Sequence, residues 1–337
     1  MLSILNFSFT AVAPIILLII LGYFIKKLRV FDQHTLKQLN KFNFRFPFCV
    51  LMFNNIYSID LKDNGFQGGM LGVMCFCLVL LTVLGWIMAN LVTQQKNRKG
   101  VLMQAMFRSN YAIIGLALAE ALAGESGAQL ASMFQLPTVI YYNFMSVIVL
   151  NIYSNQQEEL HLKKTALGVL KNPLIQGLLA GALALIIRSL MPVGGDGNPI
   201  FTIQYSLPWL YQALKWMGNI ATPMALIVLG AQLEFGEIAG FKKELISGVI
   251  MRLVGAPVIG FCVVFLAMKL GILTVGSAEA SVFVAAFGSP LAVSAVVMAS
   301  EMGGDDRLAG EIVAWTSILG MFSLFVLISL LRMLGWL

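Results

Sequence analysis

Ten mostly apolar stretches follow one another along the chain with little sequence between them, spanning residues 8–26, 37–58, 66–93, 101–122, 128–153, 168–190, 206–233, 244–270, 279–300 and 308–333. Each is about as long as the roughly 20 residues that a bilayer-crossing helix needs. Runs of this kind have few structural options. In hydrocarbon every backbone N–H and C=O must be paired within the protein, which leaves helices here. Composition supports this. Apolar residues fill 59% of the 337 positions and Asp, Glu, Lys and Arg only 11%, against about a quarter charged in soluble domains. Mean hydropathy is +0.86. So few charges cannot cover a soluble surface. The expected class is an all-α polytopic membrane protein, and a cytosolic enzyme or a disordered chain is excluded. The net charge of +6 comes without a dense basic run, so no nucleic-acid partner is expected.

The basic residues orient the helices. Seventeen of the 22 fall in one alternate set of connections: Lys26, Lys27, Arg29, Lys37, Lys41, Arg45, Lys96, Arg98, Lys99, Arg108, Lys163, Lys164, Lys171, Lys242, Lys243, Arg252 and Arg307. The other set holds Lys62, Arg188, Lys215, Lys269 and Arg332. Positive residues stay on the cytoplasmic side, so both termini are expected outside a plasma (cell inner) membrane. No Lys or Arg precedes Lys26, and the first run is read as a retained helix rather than a signal peptide. The four cysteines lie in apolar segments and are expected to be small buried hydrophobes, with no metal-ligand spacing.

The most hydrophilic connection, around Asn155-Gln156-Gln157-Glu158-Glu159, sits near mid-chain. It divides the sequence into a five-helix repeat at 1–155, a cytoplasmic linker at 156–167 and a second repeat at 168–337. Five is odd, so related halves would insert with opposite topology. Ser109-Asn110-Tyr111-Ala112 through Gly124 aligns with Ser289-Pro290-Leu291-Ala292 through Gly304, and Pro47 corresponds to Pro223 at nearly the same offset. Polar pairs next to glycine, at matching places in two halves, point to interrupted helices around a transport site. Pro47, Gly115, Pro223 and Pro290 are the expected interruption points. Half-helix N-termini at such a place carry free N–H groups and partial positive charge, which suit an anion.

The stretches Asn40-Lys41-Phe42 to Pro47, Phe53-Asn54-Asn55-Ile56-Tyr57, Phe107-Arg108-Ser109-Asn110 with Gly115, Lys171-Asn172-Pro173-Leu174, Pro223-Met224-Ala225-Leu226 with Gly230-Ala231-Gln232-Leu233, Met298-Ala299 with Gly303-Gly304-Asp305, and Leu308-Ala309-Gly310 together resemble the auxin efflux carrier family. That family includes plant auxin exporters and bacterial carriers of small carboxylates such as malate and malonate. The resemblance implies ten helices in a 5+5 inverted repeat, crossed and interrupted fourth and ninth helices at the substrate site, elevator-like alternating access and a homodimer. One departure stands out: the family often has Pro two residues after the fourth-helix glycine, and here Ala117 occupies that place. The long cytoplasmic loop of plant exporters is also missing, so plant-type regulation is not carried over.

Candidate substrate-binding residues are Asn110, Ser109, Ser289, Pro290, Asn54, Asn55 and Gln232. Asn can bond a carboxylate, hold freed backbone or join two helices, and these roles stay open for Asn110, Asn54 and Asn55. Gln232 either faces substrate or solvent. Arg108 either draws anions to the cytoplasmic mouth or, as is commoner, snorkels to the interface. No ionisable residue stands plainly at the middle of a segment, since Glu120, Glu234 and Glu301 are near segment ends. Catalysis lacks its parts: His34 and His161 fall in basic connections, and Asp60, Asp63, Asp196, Asp305 and Asp306 lie in loops. No enzyme activity, cofactor or metal is therefore expected. The expected function is secondary transport of a small organic anion, a carboxylate above all, with the bilayer as the other partner. Proton or sodium coupling is left open. The alternatives are a sodium- or proton-coupled symporter or antiporter of the related bile-acid-symporter fold, and a non-transporting membrane sensor.

Overall fold

The computed structural model describes residues 2–59, 68–153, 173–192, 200–233 and 240–337. Its helices are α1 (Leu2–Lys27), α2 (Gln33–Arg45), α3 (Pro47–Tyr57), α4 (Gly68–Val92), α5 (Lys96–Phe107), α6 (Leu116–Tyr153), α7 (Pro173–Leu190), α8 (Ile203–Ser206), α9 (Pro208–Gln232), α10 (Lys242–Ile250), α11 (Ala256–Lys269), α12 (Ser277–Phe283), α13 (Ser294–Glu301) and α14 (Asp306–Met333). Wide π-turns occupy Tyr111–Gly115, Val284–Gly288 and Met251–Gly255. Among the described residues there is no strand, only one isolated bridge. The linker expected at 156–167 lies outside the described residues, as do Asp60, Lys62, Asp63, His161, Lys163, Lys164, Lys171, Asp196 and Glu234.

Seven described helical runs are long and apolar enough to cross a bilayer: Ile4–Lys27, Gly68–Val92, Tyr111–Tyr153, Pro173–Leu190, Pro208–Gln232, Lys242–Lys269 and Asp306–Met333. The third, at 43 residues, would extend about 65 Å if straight, twice the hydrocarbon thickness. It bends at Ala123–Gly124, where Gly124 takes φ +60°, a value glycine adopts without a steric penalty. The stretches expected at 37–58, 101–122 and 279–300 are not continuous helices. They appear as α2 with α3, as α5 with the Tyr111–Gly115 turn, and as α12 with the Val284–Gly288 turn and α13.

Packing divides the described residues into two compact units, each drawing on both sides of the expected linker. The first comprises the described parts of Met1–Leu17, Gln67–Thr165 and Gln232–Leu337, and the second those of Leu18–Phe66 and Ala166–Ala231. In the second unit close approach depends on glycine, as is common where helices associate without a hydrophobic drive. Gly22 of α1 lies against the Ile227 carbonyl of α9, and Gly230 of α9 lies against the Ile19 carbonyl of α1. Gly177 and Gly181 of α7 meet the Cys49 and Phe53 carbonyls of α3 in the same way.

Two local expectations are corrected. Pro223 does not interrupt its helix: it sits inside α9, which runs unbroken from Pro208 to Gln232. A single proline removes one hydrogen bond, and flanking turns can carry a helix past it. Nearby, the fully buried Asn43 donates its amide to Ala221 O at 2.9 Å. Of the cysteines only Cys77 is buried; Cys49 is half-buried, and Cys75 and Cys262 are exposed on α4 and α11.

At one end of the first unit, Arg98 donates from Nε to Asp305 Oδ2 at 2.9 Å and from Nη1 to Glu244 Oε1 at 3.0 Å. Asp305 also caps α14, accepting from Leu308 N at 3.0 Å. Partial burial works against the Arg98 charge, but the hydrogen bonds with Glu244 and Asp305 outweigh it and raise its pKa above the usual guanidinium value.

Candidate functional site

Two interrupted segments of the first unit meet at their breaks. In one, α5 ends at Phe107 and three residues pass in non-helical form before the Tyr111–Gly115 turn begins. Arg108 is extended (φ −91°, ψ 114°) and Asn110 has φ −79°, ψ 55°. Ser and Asn compete with helical hydrogen bonding through their own side chains, which favours a break here. In the other segment Ser289 is extended (φ −66°, ψ 146°), the backbone region to which a following proline restricts its neighbour.

The breaks pair with each other. Ser109 and Leu291 form an antiparallel bridge, and Asn110 N–H donates to Pro290 O at 2.7 Å. The π-turns touch beside it: a Cβ placed on Gly115 would lie 3.1 Å from both Ala285 Cβ and Ala285 O. Gly115 is therefore the point of closest approach rather than the break itself, which falls at Arg108–Asn110. The absence of Pro at Ala117 does not prevent the interruption.

Polar groups gather at this crossing. Ser109, Asn110 and Ser289 are 2%, 4% and 0% exposed, and Pro290 is buried with them. Ser109 Oγ shares a 2.9 Å hydrogen bond with Tyr142 Oη, whereas Asn110 Nδ2 and Ser289 Oγ have no partner. Thr138 and Gln135, one and two turns before Tyr142 on α6, also carry buried side-chain atoms without a partner among the described residues.

Arg108 was expected at an interface and is instead buried, at 4% exposure. Its Nη1 donates to Tyr142 O (3.1 Å), Ser146 Oγ (2.7 Å) and Met298 Sδ (3.2 Å). Its Nη2 donates to Asn143 Oδ1 (3.1 Å) and Ser294 Oγ (2.9 Å), and Nε has no partner. All these acceptors are neutral. Ser294 is exposed and Asn143 and Met298 are half-buried, so the guanidinium sits just beneath a surface.

Arg252 was also expected in a loop, and it is 0% exposed. It donates to Met106 O at 3.3 Å, Ala286 O at 3.2 Å and Phe287 O. Among the described residues, neither arginine has a carboxylate within ion-pairing distance. Both arginines are thus buried, although neither stands at the middle of its expected segment. The sequence did carry a signal for Arg252: it follows the Lys242-Lys243 pair by nine residues, about 13 Å along a helix, inside an apolar run. Arg108 was marked only by adjacency to Ser109-Asn110.

The other candidates are not at this crossing. Pro47, at the first position of α3, starts a helix after a break at Phe46. Asn54, half-buried on α3, donates its amide to Leu214 O of α9 at 2.9 Å, the role of a helix-joining residue. Asn55 is half-buried and has a contact of its own. Pro223 is exposed on α9, and Gln232 is the half-buried last residue of that helix.

Among the described residues, the crossing thus combines broken helices, buried donors without a partner and buried cations without a carboxylate, an arrangement able to hold an anion out of water. No curated protein matches the chain. A family model described as membrane transport protein matches residues 7–328. Nearly the whole sequence is covered, and the chain belongs to the auxin efflux carrier family of membrane transporters.

Proposed function

We propose that the protein is a secondary transporter for a small organic anion, a carboxylate such as malate, malonate or an indole carboxylate, bound at the crossing of the two interrupted segments. The observation that carries this reading is Arg108: among the described residues it is a buried guanidinium with neutral partners only, two residues before Asn110, whose Nδ2, like Ser289 Oγ on the paired break, has no partner. An uncompensated buried cation costs several kcal/mol, and an anion that pairs with it recovers much of that cost. A carboxylate would accept from Arg108 Nε, Asn110 Nδ2 and Ser289 Oγ, while the Asn110–Pro290 backbone bond holds the two breaks in register.

Both interrupted segments belong to the first compact unit, which is the natural moving part in elevator-like alternating access. The second unit, with α2, α3 and most of α9, would be the scaffold. The proposed topology is ten crossings in a 5+5 inverted repeat with both termini outside the plasma membrane. For a monoanion leaving the cell, an inside-negative potential supplies about 2.3 kcal/mol per 100 mV, enough to drive uniport.

Counterflow in proteoliposomes with labelled malate, malonate and indole-3-acetate tests the reading. Wild type is expected to exchange at least one of them. Asn110→Ala, losing a donor worth about 1 kcal/mol, is expected to slow that exchange about fivefold. Absence of exchange for every anion, or an unaffected Asn110→Ala, rejects the assignment. Exchange that requires sodium would instead favour a symporter.

A further inference from the structure

Arg252 is buried as deeply as any described residue, and direct anion binding makes no use of it. Its three acceptors define its position. Met106 O belongs to the last turn of α5, and Ala286 O and Phe287 O belong to the third and fourth residues of the five-residue Val284–Gly288 turn. These are the C-terminal ends of the two half-helices that lead into the crossing, and one guanidinium spans both. Among the described residues, neutral backbone is all that it is bonded to, and its Nε has no partner.

A helix C-terminus carries about half a negative elementary charge on its free carbonyls. Two such ends converge within three residues of Asn110 and Ser289, where a carboxylate is proposed to bind. Uncompensated, they would repel it. One full positive charge shared between them cancels about the sum of the two. The fork of arginine is suited to this, because several fixed donors reach carbonyls of different segments at once, which a lysine ammonium does less well.

Building on the proposed anion site, the geometry points to Arg252 as a specificity-determining positioning residue: without touching the substrate, it neutralises the carbonyl ends of both interrupted segments and so makes the crossing receptive to an anion.

The test titrates the purified protein with whichever of malonate, malate and indole-3-acetate binds wild type most tightly, and with the neutral amide of that acid. Wild type, Arg252→Lys and Arg252→Gln are compared, with melting temperatures recorded separately. Arg252→Lys keeps the charge with fewer fixed donors, and is expected to weaken anion binding less than Arg252→Gln does while keeping the preference for anion over amide. Arg252→Gln removes the charge and is expected to weaken anion binding tenfold or more, while the affinity for the amide stays level across the three proteins. Equal weakening of anion and amide would show a purely structural role and overturn the inference, as would unchanged anion affinity in Arg252→Gln. If that variant fails to fold, Arg252→Lys decides: a retained preference for anion over amide supports the inference and a lost preference overturns it. If none of the three acids binds wild type, the anion-site reading itself fails and this inference falls with it.

Discussion

Asn110 shows how far a single residue can be read from sequence. A polar pair within an apolar run marks an interruption, because Ser and Asn offer the backbone alternatives to the helix, and the break does fall at Arg108–Asn110. What the side chains do there was less legible. Arg108 looked like an interfacial residue because its neighbour in sequence is water-seeking; its acceptors Tyr142, Asn143, Ser146, Ser294 and Met298 come from elsewhere in the chain and are invisible to local pattern. Arg252 stands close to Lys242 and Lys243 in sequence, yet its acceptors Met106, Ala286 and Phe287 are likewise remote along the chain. If Asn110 Nδ2 faces a bound carboxylate, replacing the amide by a second carboxylate sets like charges together. Asn110→Asp is then expected to abolish organic-anion counterflow at neutral pH, a larger loss than that of Asn110→Ala. Equal activity of the two variants would argue that the position only joins backbone.

At the scale of elements, proline and glycine were legible in unequal degree. Pro290 fixes an extended Ser289 by local sterics, so that break could be read from the dipeptide, and Pro47 likewise begins a helix. Pro223 could not be read in this way, because whether a helix survives a proline depends on packing that the sequence does not display. Gly115 has its purpose in a neighbour 170 residues away, Ala285, which leaves no room for a larger side chain. Gly115→Val is therefore expected to push the two π-turns apart and reduce anion counterflow at least tenfold. Overpacking costs about 1–3 kcal/mol, so a folded protein with a lowered melting temperature is the expected companion observation. In the second unit, Gly22→Val and Gly230→Val place methyl groups against the carbonyls of Ile227 and Ile19. Both are expected to lower the melting temperature in detergent, and an unchanged value would show that this helix crossing can relax.

For the whole molecule, the low charge content already specified a helical membrane protein, and the described structure contains helices and seven runs fit to cross a bilayer. The interrupted segments escape a length criterion because their pieces are short. Their relation to each other is visible only in the pairing of Ser109 with Leu291. The proposed sidedness rests on the basic residues. In a background with Cys49, Cys75, Cys77 and Cys262 replaced, Lys269→Cys is expected to react with an impermeant maleimide from outside intact cells and Lys96→Cys only after permeabilisation, both positions being exposed. The reverse pattern would invert the topology. The most direct measurement concerns the buried guanidinium at the crossing: the affinity of purified wild type and Arg108→Gln for the carboxylate that wild type exchanges in proteoliposomes. A charge-assisted hydrogen bond is worth about 1.5–3 kcal/mol, so Arg108→Gln, folded as judged by its melting transition, is expected to bind at least tenfold more weakly. Equal affinity in the two proteins would contradict a substrate anion held by Arg108.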